Sequence, residues 1–411
     1  MLISIRATAL CIYLCSLCAL GAETNSLRSW LTVDGQVSVC QFEKYAKAKV
    51  LLKDKDGKSV VIETKNLSVV DRLYLIDEQD VPEKELLEGH KDLVETRIKV
   101  PRELLMKKEP VTFPYDGGEI TFNVIDTPHF KILSEDRLNP SEVGSYLEKL
   151  WFYQAYRNPI FESSLGGLKN TVIISSSKEF IDGLHEWSLP LRGDVSARQR
   201  KVHENNKYAG LTGLPMPRDY TLAEGLVGFS YLVRSDEVDF LNEEQFRFTA
   251  AYANFILRTH GLSDIFSQLT DQGHLFVYGV GFDAEMTFHG EIGSGFSFDG
   301  QGAGAWGESR QWAKAITKAA KKGAFKYSLS DYHKGDQSLI PNPLFGEYVT
   351  AVSMFIRSDM SKELGTARYL KLVKTKGAQT TLEEFVSCYG YKDVAEMETA
   401  LLAYIAKNKV K

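Results

Sequence analysis

The segment from His274 to Glu291 contains a group of acidic and imidazole side chains that could support catalysis or metal binding. The stretch reads HLFVYGVGFDAEMTFHGE and carries His274, Asp283, Glu285, His289 and Glu291. Imidazoles and carboxylates bind zinc, and a free carboxylate can take a proton from water. One hypothesis is a metal or acid–base site, with Glu291, His274 and His289 as ligands and Glu285 or Asp283 as base. The alternative is a loop whose polar groups hydrogen-bond locally.

The remaining motifs give little support for metal or nucleotide chemistry. A zinc-peptidase helix needs two histidines four residues apart with a glutamate between them, and none of the 8 histidines forms such a pair. The stretch GAGAWG at 302–307 fits the dinucleotide fingerprint, and Asp331 follows it. Glycines are so dense between Gly290 and Gly307 that a flexible loop is the preferred interpretation. The sequence also lacks a P-loop and a G-x-S-x-G motif.

Length, composition and charge restrict the class of protein. The chain has 411 residues, which predicts two or three domains, because single cores rarely exceed about 300 residues. It is 44% hydrophobic and 25% charged, as expected for a soluble globular protein. A net charge of -5 argues against a nucleic-acid partner, and the basic run at 318–326 is interpreted as a solvated helix face.

The first 22 residues predict export. They combine Arg6, an apolar segment and small residues near Ala22, as in a secretory signal peptide, and the apolar run is short for a membrane anchor. We therefore expect a secreted or periplasmic protein with no stable membrane span after signal removal. The predicted mature chain keeps only Cys40 and Cys388, which are either packed free thiols or one bridge.

The pattern along the chain predicts an α+β fold. Residues 27–78 alternate apolar and polar residues around the Asp34-Gly35 and Asp56-Gly57 turns, which is typical of a small β-meander or barrel. A charged linker is expected at 79–110. An α/β subdomain follows at 111–242, and a mainly helical subdomain at 243–411.

Residues 27–78 resemble the Sla homology domain one family, which implies an SH3-like barrel that binds a protein or peptide ligand. The cytosolic ligands of that family do not suit an exported chain, so only a general protein-interaction role is carried over. The candidate binding residues are Trp30, Asp34, Asp56 and Lys58, although a core position for Trp30 is the alternative. The family pattern follows in order Trp30, Asp34, Gly35, Val50, Leu52, Lys53, Asp56, Gly57, Lys58, Leu67, Ser68, Asp71 and Tyr74.

Residues 114–408 more diffusely resemble the gluzincin-like peptidases of the MA clan. The resemblance rests on TPHFKIL, the E-x-G segment at Glu291 and the tail TTLEEFVSCYGYKDVAEMETALLAYI. It implies zinc-dependent peptide hydrolysis, but the metal motif falls on residues 250–254, AAYAN, which supply neither ligand nor base. We therefore expect an inactive, peptidase-like domain without a cofactor, in a protein that works by binding. The alternative is an active hydrolase with a nonstandard, zinc-containing site around Glu291, and a structural envelope component is a third possibility.

Overall fold

The computed structural model of the chain divides into two compact units, 1–92 and 93–411. The boundary falls within the predicted linker. The structure describes residues 27–87, 98–115, 118–134, 140–158, 170–175, 212–215, 227–232, 249, 253, 274–289, 312–335, 339 and 343–407.

The first unit is built on a four-stranded antiparallel sheet in the order β1-β2-β3-β4. Its strands are β1 (Arg28–Leu31), β2 (Val37–Ala46), β3 (Lys49–Asp54) and β4 (Ser59–Glu63). Turns that contain Gly35 (φ 86°) and Gly57 (φ 76°) join β1 to β2 and β3 to β4, because glycine adopts positive φ without steric cost. Beyond β4, an isolated bridge joins Thr32 to Leu67.

Two helices complete the first unit. Ser68 caps α1 (Val69–Gln79), since its side chain accepts a hydrogen bond from the Asp71 N–H, and α2 (Glu83–Leu86) follows. The segment that forms α1 was included in the predicted β-meander, and its helical structure corrects that prediction. One face of the sheet packs into a core formed by Trp30, Cys40, Val50, Leu52, Ile62, Leu67, Leu75, Val81 and Leu86.

The second unit begins with a mixed sheet, in which the described strands run in the order β5-β6-β7-β8-β10-β9. The β7–β8 and β8–β10 pairs are parallel, and α3 (Pro140–Arg157) connects β7 to the β8 region and packs on β6 and β7. The strands are β5 (Met106–Tyr115), β6 (Gly118–Asp126), β7 (Phe130–Ser134), β8 (Asn170–Ser175), β9 (Thr212–Pro215) and β10 (Val227–Leu232).

Helices form the described remainder of the second unit. They are α4 (His274–His289), α5 (Trp312–Lys321), α6 (Leu329–Lys334), α7 (Pro343–Phe355), α8 (Met360–Lys376), α9 (Leu382–Cys388) and α10 (Val394–Lys407). Helix α4 packs closely on α7: a Cβ atom added at Gly279 would lie 1.7 Å from the Ser353 hydroxyl oxygen. Only glycine fits at that contact.

The α+β class predicted from the sequence is confirmed. The described sheet of the first unit is open, so an SH3-like barrel stays a prediction. The stretch 274–289, interpreted from the sequence as a polar loop, forms α4 instead. The helix carries apolar residues of its own on all sides, so its sequence lacks the one-sided apolar pattern that identifies surface helices.

Candidate functional site

Trp30 lies in the core of the first unit, the position given above as the alternative to a binding role. Its side chain is fully buried, its Nε1 atom donates to the Cys40 carbonyl oxygen at 3.0 Å, and its ring packs against Phe42 and Tyr74. The Arg28 guanidinium covers both aromatic rings, at 4.7 Å from the Trp30 centroid and 4.0 Å from the Tyr74 centroid. Trp30 is therefore no surface for a ligand.

Asp34 shapes the turn between β1 and β2. Its carboxylate accepts hydrogen bonds from the Thr32 hydroxyl at 2.5 Å and from the Gln36 amide at 3.1 Å. Side-chain hydrogen bonds of this kind stabilise tight turns. The Asp34 carboxylate therefore stabilises the turn through hydrogen bonds to neighbouring residues.

Asp56 and Lys58 have exposed side chains at the β3–β4 turn. Their backbone N–H groups both donate to Oδ1 of Asp54, at 2.9 and 2.8 Å. The carboxylate that shapes this turn therefore belongs to Asp54, and the charges of Asp56 and Lys58 extend into solvent beside it.

The exposed apolar surface of the first unit lies on the outer face of its sheet, which we define as the face opposite Trp30. Val37, Val39 and Val61 are 54%, 55% and 55% exposed. The alternation in VSVCQF predicts that Val39 and Cys40 point to opposite faces, but it does not say which face is buried. These valines are the candidate binding residues that the sequence reasoning missed.

Charged residues lie near Val61 on the outer face, where Lys44 pairs with Leu51, the β3 partner of Val61. Glu43 pairs with Lys53 at 3.4 Å, and Glu63 pairs with Lys65 at 2.6 Å. Lys44 and Lys49 form no ion pair with any residue that the structure describes. The outer face thus has unpaired positive charge near Val61.

In the second unit, Asp283 and His289 of α4 contact α3. Asp283 Oδ2 accepts a hydrogen bond from Arg157 Nη1 at 2.5 Å and another from the Tyr153 hydroxyl. Arg157 Nη2 lies 3.3 Å from Glu363 Oε1 on α8, and Arg357 Nη1 lies 3.6 Å from Asp283 Oδ2. This buried network joins several helices, which is a structural role.

The pKa values in this network agree with that role. Burial alone would lower the pKa of Arg157, but Glu363, Tyr153 and Asp283 outweigh it and raise that pKa further above its ordinary value. Burial, together with the Asp283 charge, raises the pKa of the Tyr153 hydroxyl. Arg157 therefore stays charged and Tyr153 stays neutral, and neither group is ready to exchange a proton near neutral pH.

The residues of the hypothetical metal or acid–base site have different surroundings. Glu285 is fully buried. His289 Nε2 lies 2.8 Å from the Thr249 hydroxyl and 3.1 Å from the Tyr146 hydroxyl. His274 begins α4, and Glu291 lies outside the described residues, as do residues 302–307 and all of 250–254 except the buried Ala253. Within the described part of the chain, no three His, Cys, Asp or Glu residues are grouped as metal ligands.

A histidine–carboxylate pair lies where the sequence analysis did not place one. Glu148 on α3 accepts hydrogen bonds from Thr127 Oγ1 at 2.5 Å and from the His129 backbone N–H at 3.0 Å. Its other oxygen lies 2.7 Å from His129 Nδ1, and the imidazole stacks on Trp151 with centroids 3.4 Å apart. The carboxylate thereby closes the TPHF turn against α3 and fixes the orientation of the imidazole.

Comparisons with known proteins identify no relative of this chain. No family model, no curated protein and no solved structure matches it. Among the helices that the structure describes, none has the length and apolarity required to cross a membrane.

Proposed function

We propose that this chain is an exported protein-binding or adaptor protein whose first unit binds a protein or peptide on the outer face of its sheet. The observation that supports this proposal is the exposure of Val37, Val39 and Val61 on one small unit, while its largest aromatic residue, Trp30, is buried. Exposed apolar residues that lie together, as Val37 and Val39 do on β2, are a marker of interaction sites. The resemblance of residues 27–78 to an SH3-like interaction module supports the same function.

The charges of the outer face favour a particular ligand chemistry. Lys44 and Lys49 leave positive charge near Val61, so a ligand with aliphatic side chains and neighbouring carboxylates would complement both features there. Because these lysines are exposed, we expect the binding to weaken as salt concentration rises.

In this proposal the second unit is a peptidase-like domain without catalytic function. It serves as a scaffold. Tyr153 and Arg157 on α3 bond to Asp283 on α4. That arrangement supports a helix-joining network rather than a hydrolase.

Selection of peptides from a random display library on the purified protein tests the proposal. We expect acidic, aliphatic peptides, and their affinity should fall about tenfold in Val39→Lys, because a binding contact worth about 1.4 kcal/mol is lost. The matched control is Met106→Lys, which changes a 46% exposed apolar residue of the second unit and should leave the affinity unchanged. Equal affinities in Val39→Lys and wild type would refute the proposed face.

A further inference from the structure

The two edges of the sheet in the first unit differ in how their backbone groups are satisfied. At the β1 edge, the Leu31 N–H donates to Oδ2 of Asp71 at 2.8 Å, and the Leu31 carbonyl oxygen accepts from the Ser68 N–H at 3.1 Å. Asp71 is itself buried and paired with Arg28 at 2.9 Å. The segment that leads into α1 therefore covers the β1 edge.

The β4 edge is not covered in this way. Asp54 N donates to Lys58 O at 3.0 Å, and Thr64 N donates to Ala48 O at 2.9 Å. Because bonded and non-bonded pairs alternate along an antiparallel ladder, Val60 and Ile62 direct their backbone groups toward β3. Those of Ser59 and Val61 consequently point away from the sheet, where no residue that the structure describes bonds to them. Such an edge can be completed by an added strand.

We propose that β4 pairs antiparallel with β4 of a second copy of this chain, with Val61 on the two-fold axis. In that register the two Val61 residues face each other and exchange both N–H···O bonds, the pattern that their outward-directed backbone groups require. The two sheets of the first units then form one continuous sheet.

The side chains of β4 are compatible with this self-pairing. Val61, 55% exposed, packs against its copy on the outer face. Val60 faces Ile62 of the copy, and Ser59 faces Glu63 of the copy, so no two like charges stand opposite each other. A shift by one residue is excluded, because it would move Val61 off the axis and reverse the faces.

The expected dimer is weak. A strand of 5 residues buries little area, and small interfaces belong to transient complexes, so a Kd of about 10 to 100 µM is expected. The inference shares Val61 with the proposed ligand face, but it rests on the backbone groups of the β4 edge. Val37 and Val39 belong to β2, a strand inside the sheet, so a substitution at Val39 tests the ligand face without touching the edge.

Sedimentation velocity of the purified protein over a range of concentrations tests the inference. We expect a monomer–dimer equilibrium in wild type and at least about tenfold weaker association in two variants. Val61→Pro removes an N–H that serves only the open edge, and Val61→Lys places two positive charges together on the axis. Val39→Lys, equally exposed at 55% but away from the edge, should dimerise like wild type.

A cross-link gives an independent result if the proline variant does not fold. Facing residues in a bonded antiparallel pair have Cα atoms about 5.5 Å apart, within the range for a disulfide. Val61→Cys should therefore form a disulfide-linked dimer under mild oxidation, whereas Val39→Cys should not. A wild type that stays monomeric up to about 1 mM, or dimers that persist in Val61→Lys, would overturn the inference. A monomer that instead binds a peptide at Val61 would also overturn it and assign the edge to a partner strand.

Discussion

Nη1 of Arg157 lies 2.5 Å from Oδ2 of Asp283, and the two side chains are only 9% and 12% exposed. A buried charge that loses its partner keeps its desolvation cost without the compensating attraction. This pair therefore gives the clearest prediction for the stability of the second unit.

We predict that Asp283→Ala lowers the free energy of unfolding by about 3 to 5 kcal/mol, because it leaves the Arg157 guanidinium buried with less negative charge nearby. Urea unfolding measures the change. The control is Lys376→Gln, which removes one member of the exposed pair between Lys376 and Glu384 and should have a much smaller effect. Equal effects of the two substitutions would contradict a network held by buried charge.

Glu347 predicts a pH dependence of stability. It lies buried on α7, and burial raises its pKa from 4.5 to about 7, although a hydrogen bond from the Ile316 N–H lowers it. Between these values the folded state retains a proton that the unfolded state has released, so stability falls as pH rises from 4.5 to about 7 and then levels off. Glu347→Gln should remove this fall, as measured by urea unfolding along a pH series. A variant that follows the wild-type pH curve would count against the raised pKa.

The extent of the first unit is testable with fragments. Arg72 is fully buried, and its guanidinium donates to the Thr64 carbonyl oxygen at 2.6 Å and also to the Leu86 carbonyl oxygen. A fragment of residues 24–80 lacks Leu86 and leaves part of a buried cation without an acceptor. We expect 24–92 to show dispersed amide signals by NMR and 24–80 to be destabilised or unfolded. Equal stability of the two fragments would show that the hydrogen bond from Arg72 to Leu86, the last residue of α2, does not stabilise the first unit.

Zinc content and peptidase activity test the absence of catalysis. We expect purified protein to contain no stoichiometric zinc and to cleave no peptide, because residues 250–254 contain neither histidine nor glutamate and a catalytic zinc takes three protein ligands. Elemental analysis and a chelator-controlled peptidase assay measure both. About one zinc per chain, with activity that Glu291→Gln abolishes, would establish the hydrolase alternative instead.

The position of the mature N-terminus tests the predicted export. If residues 1–22 are a signal peptide, mass spectrometry of protein from its native host should find an N-terminus near Ala22 or Glu23. Recovery of the intact chain from the cytosol would remove the basis for an extracellular ligand.

Local sequence signals predicted a large part of the fold. Alternating residues and the two Asp-Gly turns predicted the antiparallel strands β2, β3 and β4, and the predicted helical subdomain contains α4 to α10. The helix α1 was missed although Ser68-x-x-Asp71 is a capping signal, since that stretch was assigned to a barrel pattern. For α4, apolar residues on all sides hide the period that a surface helix shows.

The surroundings of individual side chains were less predictable than the elements. Trp30 is buried because Phe42 and Tyr74 come from other elements of the first unit to cover it. The His129–Glu148 contact likewise joins a turn to a helix that begins several residues later. Such contacts depend on tertiary packing, which neither spacing nor composition determines.

The two cysteines of the predicted mature chain have a consequence for oxidation chemistry. Both are free; burial raises the pKa of the Cys40 thiol and raises that of Cys388 to about 11. The thiolate is the species that attacks a disulfide or reacts with an oxidant, and its fraction at neutral pH is small at such a pKa. We expect both sulfurs to stay reduced in an oxidising compartment and to be modified by thiol reagents only after unfolding.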